Sequence, residues 1–532
     1  MWAALILAIG MLVGAMLKPG SPQLVLNLDP RKDKINEIIN RIEEDYVDEV
    51  DADSLLDHTL EDLLKSLDPH SSYIPAKELQ GVQENIQGSF EGIGVEFIIR
   101  KDTIMVVSAI SGGPSDQLGI RSGDRIVSVE GDDVAGIGIT NDMVIERLRG
   151  EKGSKVELEI YRPSLNKTLP FTITRDKIPI YSVDVAYMLE PKVGYIKLNR
   201  FTGNSYREFA KALSTLKKND MEKLVFDLRG NPGGMLQACI QMADEFLAAN
   251  KMIVYTQGKA RDREEYKSSR QGSYEDLELV VLIDEGSASA SEIIAGAIQD
   301  NDRGLIVGRR SFGKGLVQEP MYLKDGSAIH LTTARFYTPA GRSIQRNYDS
   351  GLKAYYGEVY ERFDNGELFS ADSIDFPDSL KFKTLKGRTV YGGGGIMPDV
   401  FVPADTSAQN PWYYAMYNRG GLRDFAFAYA DENRETLMDK GLDAYVSKFE
   451  VSEEFFQKLV AHGLDKGVRG QEEEIEEVKE KLSQEIKALI ARQVWHNEGW
   501  YRVFNQSDLT VQTALEIIQK NKGTEALISN AM

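Results

Sequence analysis

The sequence predicts a multidomain α/β protein with helical ends, and three patterns carry that expectation. Between Val193 and Val402, short apolar runs alternate with amphipathic ones, as strands buried on both faces alternate with helices. Between Ser89 and Arg175 the texture changes to brief β runs punctuated by glycine. The flanking stretches, Lys34 to Leu67 and Ser407 onward, place apolar residues at helical spacing. A chain of 532 residues, 42% hydrophobic and 27% charged, is long enough for several cores and too apolar for wholesale disorder.

The opening run, "MWAALILAIGMLVGAML", has 17 residues without a charge before Lys18. As a helix it would reach about 25 Å, just short of the ~30 Å hydrocarbon layer of a bilayer. Residues 1–20 are therefore expected to form a signal peptide or signal anchor, a buried core helix being the alternative. The rest of the chain is then expected outside the cytoplasm. If the segment is not cleaved, it anchors the chain to a membrane.

Residues 19–32 read as a linker, and 33–84 as a small helical region. Ile35, Ile38, Ile39 and Ile42, then Leu55, Leu56, Leu60, Leu63 and Leu64, mark two helices, and "SLDPHSS" ends the second. From 85 to 176, "FEGIGVEFIIR", "IMVVSAI", "DRIVSVEG" and "KVELEIYR" are strands and "TNDMVIERLRG" is a helix. Gly92 and Gly94 flank Ile93, allowing a tight turn whose amides converge. Ahead of an edge strand, such a nest can hold a terminal carboxylate while a peptide adds to the sheet.

From 177 to 405, strands such as "VGYIKL", "KLVFDLRG", "LELVVLID" and "GLIVGRR" alternate with helices. Ligands in such folds sit beyond the carboxyl ends of the strands, where "DLRGNPGG" and "DEGSASASE" both fall. Residues 347–390 interrupt this unit with a polar, aromatic insertion of no clear period. Residues 406–532 form a helical extension in which Ile475, Val478, Leu482, Ile486, Leu489 and Ile490 make one apolar stripe.

Charge and composition exclude several functions. The net charge is −19 with lysines and arginines scattered, so no nucleic-acid surface is expected. One cysteine, Cys239, allows no intrachain disulfide. Five scattered histidines (His58, His70, His330, His462, His496) suggest neither a metal site nor a cofactor.

"EGSASASEIIAG" sets Ser287, Ser289 and Ser291 at every second position. Ser289 and Glu292 form a capping-box pattern ahead of an apolar run, which alone would explain the serine. The same strand-to-helix junction would also display a nucleophile beside free helical amides. A nucleophile needs a base, and His330, read as a strand residue, is a poor candidate. Lys314 in "FGKGLVQ" lies between two glycines with apolar neighbours. An ordinary lysine has a pKa of about 10.4, so work as a base near neutrality needs a drop of roughly three, which desolvation supplies.

These segments together resemble the carboxyl-terminal processing peptidases, the S41 serine peptidase family. Residues 85–176, with "SGDRIVSVEG", resemble a bacterial PDZ domain. "DLRGNPGG", "TTARFYTPAGRSIQ" and "GGIMPDV" match further family segments, so the resemblance runs from about 33 to 405 apart from the insertion. It implies a crotonase/ClpP-like α/β peptidase core with an inserted PDZ β domain, a helical N-terminal region and a helical C-terminal extension. By the resemblance Ser289 is the nucleophile, Lys314 the base, and Gln318 the residue that orients the amine. The oxyanion donors are expected at the amides of Ala290 and Gly233. Gly92, Ile93 and Gly94 would bind a substrate C-terminus, and Arg149 would couple that docking to the active site.

The implied partners are proteins or peptides with accessible C-termini, and homo-oligomerisation is left open. Two other readings are a catalytically silent PDZ scaffold of the same fold and a crotonase-like acyl-CoA enzyme. Intact Ser289, Lys314 and Gln318 argue against the first, and the PDZ unit and export segment against the second.

Overall fold

A computed structural model describes residues 30–269, 273–374 and 377–519. The expected signal or anchor segment lies outside the described residues. Among the described residues no helix is long and apolar enough to cross a membrane.

The centre is a six-stranded sheet in the order Val183–Glu190, Val193–Leu198, Lys223–Asp227, Glu278–Ile283, Leu305–Gly308, Val400–Phe401. Its last five strands run parallel, and only the first is antiparallel to its neighbour. Side-chain alternation sends Leu224 and Phe226 to one face and Val225 to the other. Helices Ser205–Lys218, Leu236–Asp244 and Ala290–Asp300 cover the first face through Phe209, Leu213, Cys239 and Ile294. The second face is covered by Leu509–Gln519, whose Val511, Ala514, Leu515 and Ile518 meet Val225, Val280 and Leu282. The last described helix of the extension thus belongs to the core of the peptidase-like unit.

A second sheet lies beside the first, in the order Ser72–Ile74, Ala328–Tyr337, Met252–Gln257, Glu264–Lys267, with Leu316–Tyr322 also pairing to Ala328–Tyr337. The segment that ends the Ala52–Lys65 helix therefore continues as a strand, setting Ser72 opposite His330.

The 85–176 unit is attached by one ribbon, in which Ser89–Gly92 on the way in pairs with Asp176–Pro179 on the way out. Its sheet runs Val95–Ile99, Ile104–Ala109, Arg125–Val129, Lys155–Arg162, Lys167–Thr174. Val95–Ile99 is an edge strand, bonded to Ile104–Ala109 alone.

The helical extension has its own core, into which Val478, Leu482, Ile486 and Ile490 of the predicted stripe are packed with Trp412, Met416 and Phe456. It also holds the PDZ-like unit. Asp424 receives both Arg100 and Lys466, and Gln493 receives the Ser122 hydroxyl.

The 347–390 insertion differs from expectation, because Leu352–Asp364 is a helix. Its order comes from outside contacts rather than an apolar stripe. Tyr355 and Arg362 are buried, and Glu358 pairs with Arg310, Arg346 and Arg362.

Candidate active site

Two loops at the carboxyl ends of central strands meet at the start of the Ala290–Asp300 helix. One follows Lys223–Asp227 and contains Gly233; the other follows Glu278–Ile283 and contains the three serines. Ser287 is fully buried and donates its hydroxyl to Leu228 O at 2.8 Å. Ser291 is also fully buried and donates to Asn231 O at 2.9 Å. Both outer serines therefore staple the loops together, as loop and helix-start residues. Ser289 is half-buried and opens the Ala290–Asp300 helix in a capping box with Glu292. Its backbone sits at φ 53°, ψ −111°, a conformation that costs a non-glycine residue about 1–3 kcal/mol.

Glu292 holds this corner. Its Oε2 accepts the Ser289 amide at 2.8 Å, the Glu292 side of the expected capping box. The same oxygen accepts the Lys314 amide at 2.9 Å. Its Oε1 accepts the Gly313 amide at 2.7 Å and the Ser311 hydroxyl at 2.5 Å. Burial pushes the Glu292 carboxyl up to about 7, against the pull of these four donors. Sequence reasoning gave Glu292 only a capping role; its second task depends on a loop brought in by the tertiary fold.

Lys314 lies two residues before the Leu316–Tyr322 strand. Burial lowers its pKa, and the carboxylates of Glu292 and Asp68 act in the opposite direction. His70 is pushed down to about 4 by burial and then by the charge of Lys314, and His330 is lowered by the same two causes in the same order. The lysine thus stands among His70, His330, Asp68 and Glu292. Gln318 follows on that strand, just past a break in register at Val317/Gln318, and its Nε2 donates to Thr332 Oγ1 at 3.2 Å.

The loop carrying Lys314 is clamped from outside. Arg346 lies between the rings of Phe312 and Tyr355, 3.9 and 4.0 Å from their centroids. Gln345 Oε1 accepts the Gly315 amide at 2.8 Å. Tyr355, from the insertion, bonds His70 Nε2 at 2.8 Å.

Of the two expected oxyanion donors, Ala290 opens the helix beside Ser289. Gly233 is adjacent, since a Cβ on it would fall 2.8 Å from Ser289 Cβ and 2.9 Å from Ala290 N. Its amide, however, donates to Asn231 Oδ1 at 2.9 Å, a side chain closing its own turn. In this conformation Gly233 is therefore not a free donor, contrary to expectation. The loop is anchored by buried Asp227, which accepts Tyr195, Lys197 and Arg229. Against the cost of burial, Arg229 and Lys197 hold its carboxyl well below the usual range.

In the PDZ-like unit, Gly92, Ile93 and Gly94 are buried between the two paired neck strands and the edge strand. The Ile93 carbonyl accepts both the amide and the hydroxyl of Ser115, at 3.2 and 2.7 Å, which fixes the turn. Arg149 ends the Asn141–Leu148 helix and donates to Glu84 Oε2 at 2.6 Å, its guanidinium 4.9 Å from the Phe90 ring. Glu84 belongs to Ala76–Gln87, the helix whose end accepts the Gly203 amide at Ile86 O, 3.1 Å away.

Three stretches of the chain match known families. Residues 192–353 match peptidase family S41, 92–173 match a PDZ domain, and 412–496 match a family of unknown function. A carboxy-terminal-processing protease of Bartonella bacilliformis is 36% identical over 317 residues, 59% of this chain and 72% of that one. The carboxy-terminal processing protease CtpB of Bacillus subtilis is 35% identical over 336 residues, 62% of this chain and 68% of that one. Among solved structures, a photosystem II D1 C-terminal processing protease is 29% identical, with TM-score 0.33, over 58% of this chain and 89% of that one. The chain belongs to peptidase family S41, among the carboxy-terminal processing proteases, and carries a PDZ domain.

Proposed function

We propose that this peptidase cleaves proteins selected by their C-termini, with Ser289 as nucleophile, Lys314 as general base and Gln318 as the residue orienting the lysine amine. The observation that carries this reading is the shared oxygen of Glu292, which sets the Ser289 and Lys314 backbones two hydrogen bonds apart. The neutral Lys314 amine takes the Ser289 hydroxyl proton as Oγ attacks the peptide carbonyl. The resulting ammonium returns that proton to the leaving amine nitrogen, giving a serine ester and a free amine. Water, deprotonated by the same lysine, then attacks the ester and regenerates Ser289.

The Ala290 amide is the oxyanion donor, and the Gly233 amide joins it when Asn231 releases it. A substrate carboxylate docks at Gly92, Ile93 and Gly94 while its chain pairs with the open edge of Val95–Ile99. Arg149 and Glu84 link that docking to the loops around Ser289. The uncharged run over residues 1–17 supports a place at the bacterial cell envelope, on the periplasmic side of the inner membrane.

The test is cleavage of an unfolded protein ending in apolar residues, with and without a competing apolar C-terminal peptide. Wild type cleaves, Ser289→Ala and Lys314→Ala do not, and a serine-directed label attaches at Ser289 only in wild type. Absence of cleavage under all these conditions would leave a PDZ scaffold in place of a peptidase.

A further inference from the structure

We propose that Asp68, in the segment preceding the PDZ domain, is a positioning residue that sets which end of the Gln318 amide faces Lys314. The proposal rests on the Ser289–Lys314–Gln318 reading above and adds a residue that lies in neither the serine loop nor the lysine loop.

Asp68 is 7% exposed, and four donors converge on its two oxygens. Oδ1 accepts the amides of His70 and Ser71, each at 2.8 Å, and the Thr332 hydroxyl at 3.0 Å. Oδ2 accepts the Ser71 hydroxyl at 2.6 Å. A carboxylate so surrounded can only accept, so the single hydroxyl proton of Thr332 is spent on Asp68. Thr332 Oγ1 then has only lone pairs to offer Gln318, which must present Nε2 to it, as it does at 3.2 Å. The Gln318 carbonyl oxygen is thereby left for the lysine, where it can accept an amine or ammonium hydrogen.

The bonds around this relay keep it in register. Ser71 Oγ accepts the Thr332 amide at 3.1 Å, tying the 68–71 segment to the strand opposite Gln318. Without the Asp68 acceptor, the Thr332 hydroxyl could turn to Gln318 and draw its Oε1 instead, placing two amide hydrogens against the lysine. The charge of Asp68 also reaches Lys314.

The groups facing Lys314 are Glu292 from the serine-bearing helix, Asp68 and His70 from the segment after the Ala52–Lys65 helix, and His330 from the paired strand. His70 titrates near 4, too low to shape a limb nearer neutrality.

The experiment compares steady-state cleavage, its pH profile and thermal unfolding for Thr332→Val, Thr332→Ser, Asp68→Asn and Gln318→Ala in the full chain. Thr332→Val, which keeps shape but loses the hydroxyl, should lower kcat roughly 10- to 100-fold with KM little changed. Thr332→Ser should restore most of that loss, and Gln318→Ala added to Thr332→Val should cost no more than either alone. Asp68→Asn should lower kcat similarly and move the acid limb of kcat/KM to lower pH, because an anion that favours the ammonium is gone. Wild-type kcat in folded Thr332→Val, or an unmoved limb in Asp68→Asn, would overturn the positioning role while inactive Ser289→Ala and Lys314→Ala left the dyad standing. Cleavage by Ser289→Ala or Lys314→Ala would instead remove the dyad and this proposal with it.

Discussion

Ser289 and Lys314 hang their backbone amides on one atom, Glu292 Oε2, at 2.8 and 2.9 Å. Two loops are thus brought into register by a single buried carboxylate.

Replacing that carboxylate should uncouple the loops. In Glu292→Gln one oxygen remains to accept, while the amide nitrogen faces donors. The expected result is a loss of kcat of roughly 100-fold or more and of about 1–3 kcal/mol in stability. Cleavage assays and chemical denaturation measure the two. The pH dependence has a definite sign. Because the folded-state pKa is raised from 4.5 to about 7, the native state binds the extra proton between those values. The stability of wild type relative to Glu292→Gln should therefore fall as pH rises from 4.5 through about 7.

The base predicts a second pH effect. As the proposed base, Lys314 would work only when neutral, and burial lowers its pKa from 10.5. Cleavage should rise with pH along a limb set below that of an exposed lysine. Lys314→Arg, which stays protonated, should be inactive across the range. A wild-type limb at the ordinary lysine value would count against the buried base.

Gly233 offers a steric test. Its φ is 100°, and an added Cβ would lie 2.8 Å from Ala288 O and from Ser289 Cβ. Gly233→Ala should lose cleavage by roughly 100-fold or more through displacement of Ser289, the proposed nucleophile, with far-UV circular dichroism unchanged.

Arg229 offers an energetic one. Its Nη1 meets both oxygens of Asp508 at 2.9 Å, while Nη2 meets Asp227 Oδ2 at 2.6 Å. Asp508→Ala leaves the half-buried Arg229 guanidinium with Asp227 alone and should cost about 1–3 kcal/mol. Urea unfolding, with cleavage measured in parallel, reads the result.

Much of this was legible in the sequence because it is periodic or local. The parallel sheet followed from apolar runs alternating with helices, and the helix start at Ser289 from its capping-box pattern with Glu292. The PDZ unit showed itself in its glycine-spaced strands. What escaped were side chains whose partners are remote in sequence. Asp68 in "SLDPHSS" looked like a helix stop, yet its acceptor work is done on Thr332, 264 residues away. Tyr355 sat in an insertion without a period, because its burial against Arg346 and His70 is tertiary. The Gly233 amide could not be read at all, since an Asx turn and an open oxyanion donor share one sequence.

The helix Leu509–Gln519 on the far face of the central sheet bears on the order in which the protein is made. A nascent chain that has emerged as far as Phe401 contains all six strands of that sheet. Val225, Val280 and Leu282 then have no cover, and Arg229 has no Asp508. Another hundred residues must leave the ribosome, roughly 5–20 s of synthesis, before the loop beside Ser289 gains its last anchor. The Asp227–Arg229 corner is therefore closed from both sides only once the last described helix has docked.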